Sequence, residues 1–391
     1  MAAVLEASFA GMHARLRRRG NDSMAHETTP DHTRSGGSQA APAPQRWTVR
    51  TLLAWMVPFL KEREVDNPRA ISEILLAEVL KVERLRLYME PDRELAAEEL
   101  ASLRGLVARA GRHEPVQFLV GIWPFLGRDF EVAPCTLIPR PCTEGLVESA
   151  LDWYRERGAG GVRVLDLCTG TGCIAVSLAL GMRAILRPEG AGCRPISAQR
   201  EDDGAHKWQQ NAARESRFEV DAGVAETGEA APGSDPGAPP PAVASIEITA
   251  TDIVPEAVEL ARRNARRHGV SIDFRCGDLW SALDQGERFD LIVSNPPYVT
   301  DEEYASLDRN VKEYEPASAL RGGRDGLDLV RKVVGGAERH LNQAGLLAVE
   351  IGWKHRDGAL ALVSGRGWRD AAVLKDGDGI DRILIARRGA G

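Results

Sequence analysis

The sequence predicts an α/β protein: a doubly wound, mostly parallel sheet with a terminal antiparallel hairpin, preceded by a small N-terminal α-helical bundle. Three observations carry that expectation. From Val162 onward short apolar strands alternate with amphipathic helices, and the strands stop at or beside polar residues (Asp166, Asp252, Asp278, Asn295, Glu350). A glycine-bearing turn, Cys168-Thr169-Gly170-Thr171-Gly172, joins the first of these strands to the first helix. Near the end, Asp376-Gly377-Asp378-Gly379 separates two strand-like runs, Ala371 to Lys375 and Arg382 to Arg387, as a hairpin turn does.

A chain of 391 residues allows two or three domains. Its apolar fraction of 43% and charged fraction of 27% are those of an ordinary soluble protein. A formal net charge of −7 argues against broad electrostatic binding of nucleic acid. No apolar run reaches the length of a membrane span. Cys135, Cys142, Cys168, Cys173, Cys193 and Cys276 form no CxxC pair and have no histidine cluster beside them. They read as reduced thiols of a cytosolic protein, with no metal expected.

Residues 1–46 are expected to be disordered, because His, Ser, Gly, Pro and Ala dominate after residue 20. Arg15, Arg17, Arg18 and Arg19 resemble part of a transit peptide. The apolar run before them is short and interrupted by His13, which argues against a secretory signal. Met24 is a plausible alternative start. Residues 47–112 have helical periodicity, with one stripe of Leu52, Leu53, Met56, Val57 and Leu60 and another of Ile71, Ile74, Leu75, Val79 and Leu80. Pro68 sits near the start of the second helix, and Pro91-Asp92 breaks the run before Leu95 to Ala110.

Residues 113–142 form the connector. Phe118, Val120, Ile122, Phe125, Phe130 and Val132, with Gly121 and Gly127 between them, are expected to form a β-hairpin. Leu137-Ile138-Pro139-Arg140-Pro141 is a stiff extended segment, and Thr143 is placed to cap a helix running to about Tyr154. Composition alone makes Arg140 a plain surface residue.

Residues 143–391 carry the chemistry. The Cys168–Gly172 turn lets a ligand approach the backbone at a helix N-terminus, and Gly170-x-Gly172-x-x-Ala175 also fits a dinucleotide fingerprint. Asp166 separates the two readings. Its carboxylate repels a pyrophosphate but suits an ammonium group, such as the methionyl end of S-adenosylmethionine. An adenosine cofactor also needs an acid at the end of the second strand for its ribose hydroxyls. Asp252 closes the next convincing strand, Ser245 to Thr251, far beyond the usual spacing of about 20 residues. The stretch between, about 187–243, is rich in Gly, Pro, Ala and Glu and reads as a disordered insertion. As a helix-to-strand connection it belongs at the sheet edge opposite the ligand. After the helix Val254 to His268 and the strand Ile272 to Cys276, Gly277-Asp278-Leu279-Trp280 can bracket an adenine. Asp278 accepts its amino protons, and Leu279 or Trp280 packs on the ring.

Phe289 to Ser294 is a buried strand ended by Asn295-Pro296-Pro297-Tyr298. Proline donates no hydrogen bond and fixes φ, so the two prolines make a rigid corner. Taken alone, these residues fit a plain strand-ending turn. They equally fit a seat for a planar NH2 group, with the Asn295 oxygen and the Pro296 carbonyl as acceptors and Tyr298 against the plane. Gly345 to Ile351 is the fifth strand.

The order of these features resembles the HemK/PrmC family of protein-(glutamine-N5) methyltransferases. The resemblance spans about Leu52 to Arg387 without the insertion. It rests on residues 137–141, 166–172 and 295–298, with support from Tyr314-Glu315-Pro316, Ala319-Leu320, Asp325-Gly326-Leu327-Asp328 and Glu350-Ile351-Gly352. It implies a class I (Rossmann-like) methyltransferase domain and a helical domain that helps hold a peptide-chain release factor. S-adenosylmethionine is the implied donor and S-adenosylhomocysteine the product. Asp166, Cys168, Thr169, Gly170, Thr171, Gly172, Asp252, Asp278, Leu279 and Asn295 are the implied cofactor residues. Asn295, Pro296, Pro297 and Tyr298 would bind the glutamine of a Gly-Gly-Gln motif and carry catalysis, with Arg140 a further substrate contact. The implied enzyme is cytoplasmic and monomeric, uses no metal and binds no nucleic acid directly. Two departures stand out: Cys142 replaces the first glutamate of the usual Arg-Pro-Glu-Thr-Glu, and Cys168 stands where glycine is frequent. Cysteine at the latter position also occurs in the sister group acting on a ribosomal protein. That substrate therefore remains an alternative, as does a nucleic-acid adenine, which the same corner serves elsewhere.

Overall fold

The structure is a computed structural model describing residues 46–158, 160–186, 245–365 and 367–389. The expectations of disorder in residues 1–45 and 187–243 fall outside it, as does Cys193. Strands and helices follow the hydrophobic periods of the sequence. In chain order the strands are β1 (Ile122–Phe125), β2 (Arg128–Glu131), β3 (Val162–Leu167), β4 (Ile246–Asp252), β5 (Asp273–Cys276) and β6 (Phe289–Ser294). They continue with β7 (Val299–Thr300), β8 (Arg321–Gly323), β9 (Leu341–Glu350), β10 (Trp368–Lys375) and β11 (Asp381–Arg388).

Seven strands form one sheet in the order β10-β11-β9-β6-β3-β4-β5. β3 pairs in parallel with β4 and β6, β4 with β5, and β6 with β9, while β11 runs antiparallel to both β9 and β10. Residues alternate between two apolar layers. Val164, Leu291, Val293, Leu346 and Ala348 face one, shared with the helices Glu144–Glu156, Cys173–Leu186 and Pro255–Arg267. Leu165, Leu167, Phe289, Ile292, Leu347 and Val349 face the other, beneath Asp328–His340 and Arg356–Leu362. The period of two puts neighbouring strand residues in opposite layers, which makes the sheet doubly wound. The chain leaves β5 for β6 on the far side of β3, so the strand order reverses between β3 and β6. Ligands bind at the carboxyl ends of strands flanking such a reversal.

The N-terminal helices are Val49–Lys61, Pro68–Leu80, Arg84–Met89 and Ala97–Ala110, and Pro68 is the first residue of its helix. Thr48 and Thr51 form a reciprocal capping box at the start of the first. Two expectations about phase need correction. In Pro68–Leu80 the buried apolar residues are Leu75, Leu76, Ala77 and Leu80, while Ile71, Ile74 and Val79 are only half-buried. The helix is rotated because Ser72 and Glu73 also face inward, and Glu73 accepts hydrogen bonds from Arg84 and Tyr88. The connector hairpin is also shorter than expected. Val116–Val120 is a helical turn, closed by Gly121 at φ 75°, and only Ile122–Phe125 and Arg128–Glu131 pair. Phe118 and Leu119 are consecutive and both buried, which a half-buried strand does not allow.

The described chain stops at Leu186 and resumes at Ser245, whose carbonyl accepts from the Val162 amide at the start of β3. That edge is opposite the strand carboxyl ends. Replacing 187–243 with a short linker of about four to six residues is expected to preserve the melting temperature and cofactor binding, read by calorimetry. Loss of either would contradict this placement.

Candidate active site

The turn after β3 is shaped by left-handed backbone at Cys168 (φ 61°), Gly170 (φ 53°) and Gly172 (φ 79°). Glycine adopts this conformation freely, whereas for other residues it costs about 1–2 kcal/mol. A Cβ on Gly172 would lie 3.0 Å from the Ala261 side chain, so the turn packs directly on the helix Pro255–Arg267. Asn264 of that helix is fully buried. It accepts from the Glu131 amide (2.7 Å) and donates to the carbonyls of Glu131 (3.0 Å) and Thr171 (2.9 Å), tying the connector hairpin to the turn. At the end of β4, Asp252 accepts from the amides of Gly170 (2.9 Å) and Val254 (3.0 Å).

These elements enclose a cavity of about 310 Å³, within the range of about 300–1,000 Å³ for small-molecule sites. Cys168, Thr169, Gly170, Thr171 and Asp252 form one wall, with Asp278 and Leu279 beyond them. Leu279 also holds a left-handed backbone (φ 45°), a second strained residue at the same cavity. Asn295 and Pro297 form the opposite side, while Arg140 and Thr143 enter from the connector.

Four predicted residues do not form the wall: Asp166, Gly172, Pro296 and Tyr298. Asp166 is fully buried behind the turn, where its Oδ2 accepts from the Thr169 hydroxyl (2.7 Å) and its Oδ1 has no partner among the described residues. Burial pushes its carboxyl up to about 7. The expected approach to an ammonium group is therefore corrected, because the side chain points under the turn. Trp280 is likewise turned away. It stacks on His340 (5.0 Å, 9°) and donates to the Lys332 carbonyl, leaving Leu279 as the apolar residue at the wall. Arg140 is no free surface residue, since it pairs with the fully buried Glu315, which also accepts from the Ile138 amide (3.0 Å).

At the corner, Asn295 Nδ2 donates to Thr143 Oγ1 (3.1 Å), which leaves Oδ1 without a partner among the described residues. Thr143 sits at the helix start yet makes no side-chain cap, because its hydroxyl is turned to Asn295. The Tyr298 hydroxyl donates to Glu350 Oε1 (3.1 Å). Gly322 of β8 packs so close behind the corner that an added Cβ would lie 2.6 Å from Tyr298 Cα. Sequence reasoning missed Asn264, Ile253, Glu350 and this role of Thr143. The available signals were a lone amide on the apolar face of a helix, an isoleucine directly after Asp252 (59% exposed, at the cavity), and an acid ending an apolar strand.

The chain is similar to proteins of known family. Residues 51–121 match the PrmC N-terminal domain and residues 241–313 the methyltransferase small domain. A release factor glutamine methyltransferase of Geobacter sulfurreducens is 36% identical over 346 residues, covering 88% of this chain and 99% of that protein. The chain belongs to the release factor glutamine methyltransferase family. A second relative of that name, from Koribacter versatilis, is 32% identical over 84% of this chain and 94% of its own length. A solved methyltransferase from Pyrococcus furiosus is 18% identical, with a TM-score of 0.38 over 75% of this chain and all of that one. The family's methyltransferase fold is the one described above, and no described helix is long and apolar enough to cross a membrane.

Two measurements probe the site. Cys168→Val places a β-branched side chain at a left-handed position and is expected to cost at least about 1–2 kcal/mol. Cys168→Gly removes the strain at the expense of backbone entropy and should stay within about 1 kcal/mol of the parent. Denaturant unfolding of both variants checks the ordering. Asp166 binds its proton more tightly folded than unfolded, so its contribution to stability falls as pH rises from about 4 through about 7. The melting temperature of the parent should therefore fall relative to Asp166→Asn between those limits; parallel pH profiles would contradict the assignment.

Proposed function

We infer that this chain transfers a methyl group from S-adenosylmethionine to the side-chain amide nitrogen of a glutamine in peptide-chain release factors, within the Gly-Gly-Gln motif. The observation that carries it is the state of Asn295. One end of its amide is locked on Thr143, and the other is left as an acceptor beside a cofactor-sized cavity. An acceptor held this way suits the N–H of an incoming carboxamide. Release factors are favoured over a ribosomal protein or a nucleic-acid base because the full-length relatives are release factor glutamine methyltransferases. A cytoplasmic, monomeric enzyme is the corresponding working picture.

The residues fit the cofactor. The turn 168–172 gives close backbone approach at a helix N-terminus. Asp252 uses one lone pair on each oxygen for backbone amides and keeps others for ribose hydroxyls. Asp278 would accept from the adenine amino group, with Ile253 and Leu279 against the ring. When bound, S-adenosylmethionine supplies a methyl on a sulfonium, whose departure leaves a neutral thioether. Asn295 Oδ1 and the Pro296 carbonyl would hold the amide nitrogen in one orientation and stabilise positive charge as it grows there. The rigid Pro296-Pro297 bend limits how far the Pro296 carbonyl can turn.

Asn295→Ala is expected to keep S-adenosylmethionine affinity within about threefold while turnover falls by about 10²–10³. The readouts are calorimetry and transfer of labelled methyl to release factor, with ribosomal protein and DNA as comparison substrates. Undiminished turnover in this variant would remove the mechanism, and transfer to DNA alone would replace the substrate.

A further inference from the structure

Behind the corner lies a carboxylate that the methyl-transfer reading does not use. Glu350 ends β9, the strand beside β6, and is fully buried. Oε1 accepts from the Tyr298 hydroxyl (3.1 Å) and from Cys142 Sγ (3.6 Å), while Oε2 has no partner among the described residues. No described cation pairs with it directly. The nearby Arg382 instead pairs with Asp376 (3.4 Å). Burial pushes the Glu350 carboxyl up, and the hydroxyls of Thr143 and Tyr298, the charge of Arg382 and the thiol of Cys142 draw it partly back. Thr143 Oγ1 accepts from Asn295 Nδ2 at the other end of the same corner.

A buried carboxyl with one orphan oxygen costs stability. Packing alone would favour an apolar residue of similar volume here. We propose that Glu350 is a positioning residue, whose carboxyl orients the Tyr298 side chain at the end of the amide-binding corner. The corner's backbone is rigid, but the Tyr298 ring turns about its own side-chain bonds, and prolines do not restrain those. Glu350 supplies that restraint from a strand that is itself locked between β6 and β11. Cys142 fits the same arrangement. Where the resembled family usually has the first glutamate of Arg-Pro-Glu-Thr-Glu, this chain places a neutral S–H donor against Glu350, which leaves one carboxyl at the anchor.

The proposal rests on methyl transfer at the Asn295 corner, and its test separates the two. Glu350→Leu, Glu350→Gln and Tyr298→Phe are compared with the parent for melting temperature, S-adenosylmethionine affinity, and kcat and KM with release factor. Glu350→Leu is expected to melt no lower than the parent and bind the cofactor within about twofold. Its kcat should fall by about ten- to a hundredfold, the scale of a small misplacement of reacting groups. Glu350→Gln keeps an oxygen for Tyr298 and should recover most of the loss. In the Glu350→Leu background, Tyr298→Phe should cost little more. A purely structural Glu350 would make activity follow melting temperature. That result, an unchanged kcat in Glu350→Leu, or a Glu350→Gln as impaired as the leucine variant would overturn the proposal. If Glu350→Leu does not fold, parental kcat in Tyr298→Phe overturns it, and a kcat loss at parental melting temperature in that variant supports it. A parent protein that binds cofactor but never methylates release factor would instead sink the functional reading.

Discussion

The parallel pairing of β3 with β6 fixes everything that happens at this site. Leu167 stands opposite Ser294, and the Ser294 hydroxyl donates to the Leu167 carbonyl (2.9 Å), so both strands end at the same level. One residue beyond each lie Cys168, which opens the turn, and Asn295, which opens the corner. A one-residue slip in this register would exchange the buried and exposed faces of β6. Leu291 and Val293 would leave their layer, and the corner would face away from the cavity. The apolar alternation that builds the core therefore also sets the distance between the two halves of the site.

Around that fixed pair, the neighbouring strands contribute one function each at the same edge. β4 contributes Asp252, whose two backbone hydrogen bonds hold the turn from the side. β5 leads to Asp278 and Leu279, and β9 ends in Glu350 behind the corner. Two strained residues lie here as well. Cys168 and Leu279 both hold left-handed backbone beside the cavity. Such conformations persist only where surrounding contacts over-determine them. For Cys168, the turn's hydrogen bonds from Gly170 to Asp252 and from Thr169 to the Thr251 carbonyl supply that restraint.

The fold was legible where its signals were periodic. The ends of β3 and β6 can be read from apolar runs closed by a glycine turn or by prolines, and the terminal hairpin from its Asp-Gly repeats. The lining of the cavity was legible where a residue belongs to a motif at a strand end, as at Thr169–Thr171, Asp252 and Asn295. It was not legible where a side chain acts on another element. Thr143 has the sequence context of a helix cap, but its hydroxyl bonds a residue 152 positions away. Asp166 lies in the motif yet turns beneath it, since a strand residue one place from the end points into a layer and not off the edge. The hairpin was overextended for a related reason: Phe118, Val120 and Ile122 have the spacing of a strand, and only the buried Leu119 between them reveals a helical turn.

The segment after the corner shows why these long-range contacts are needed. Between β7 and β8 it contains helices of only five and four residues, Asp301–Ala305 and Arg309–Lys312, too short to be stable alone. Tyr314 donates to the Arg112 carbonyl (2.9 Å) at the end of the N-terminal helices and packs against Phe118, Val132 and Ile138. Glu315 accepts from the Ile138 amide and pairs with Arg140. Removing the half-buried Arg140 would leave the buried Glu315 carboxylate without its ion partner. These contacts hold Ser318 and Ala319 at the cavity wall opposite the connector's own wall residues. Arg140 therefore reaches the site through a structural bond: it fixes the extended connector and the post-corner segment to each other, and the cavity is the space they leave between them.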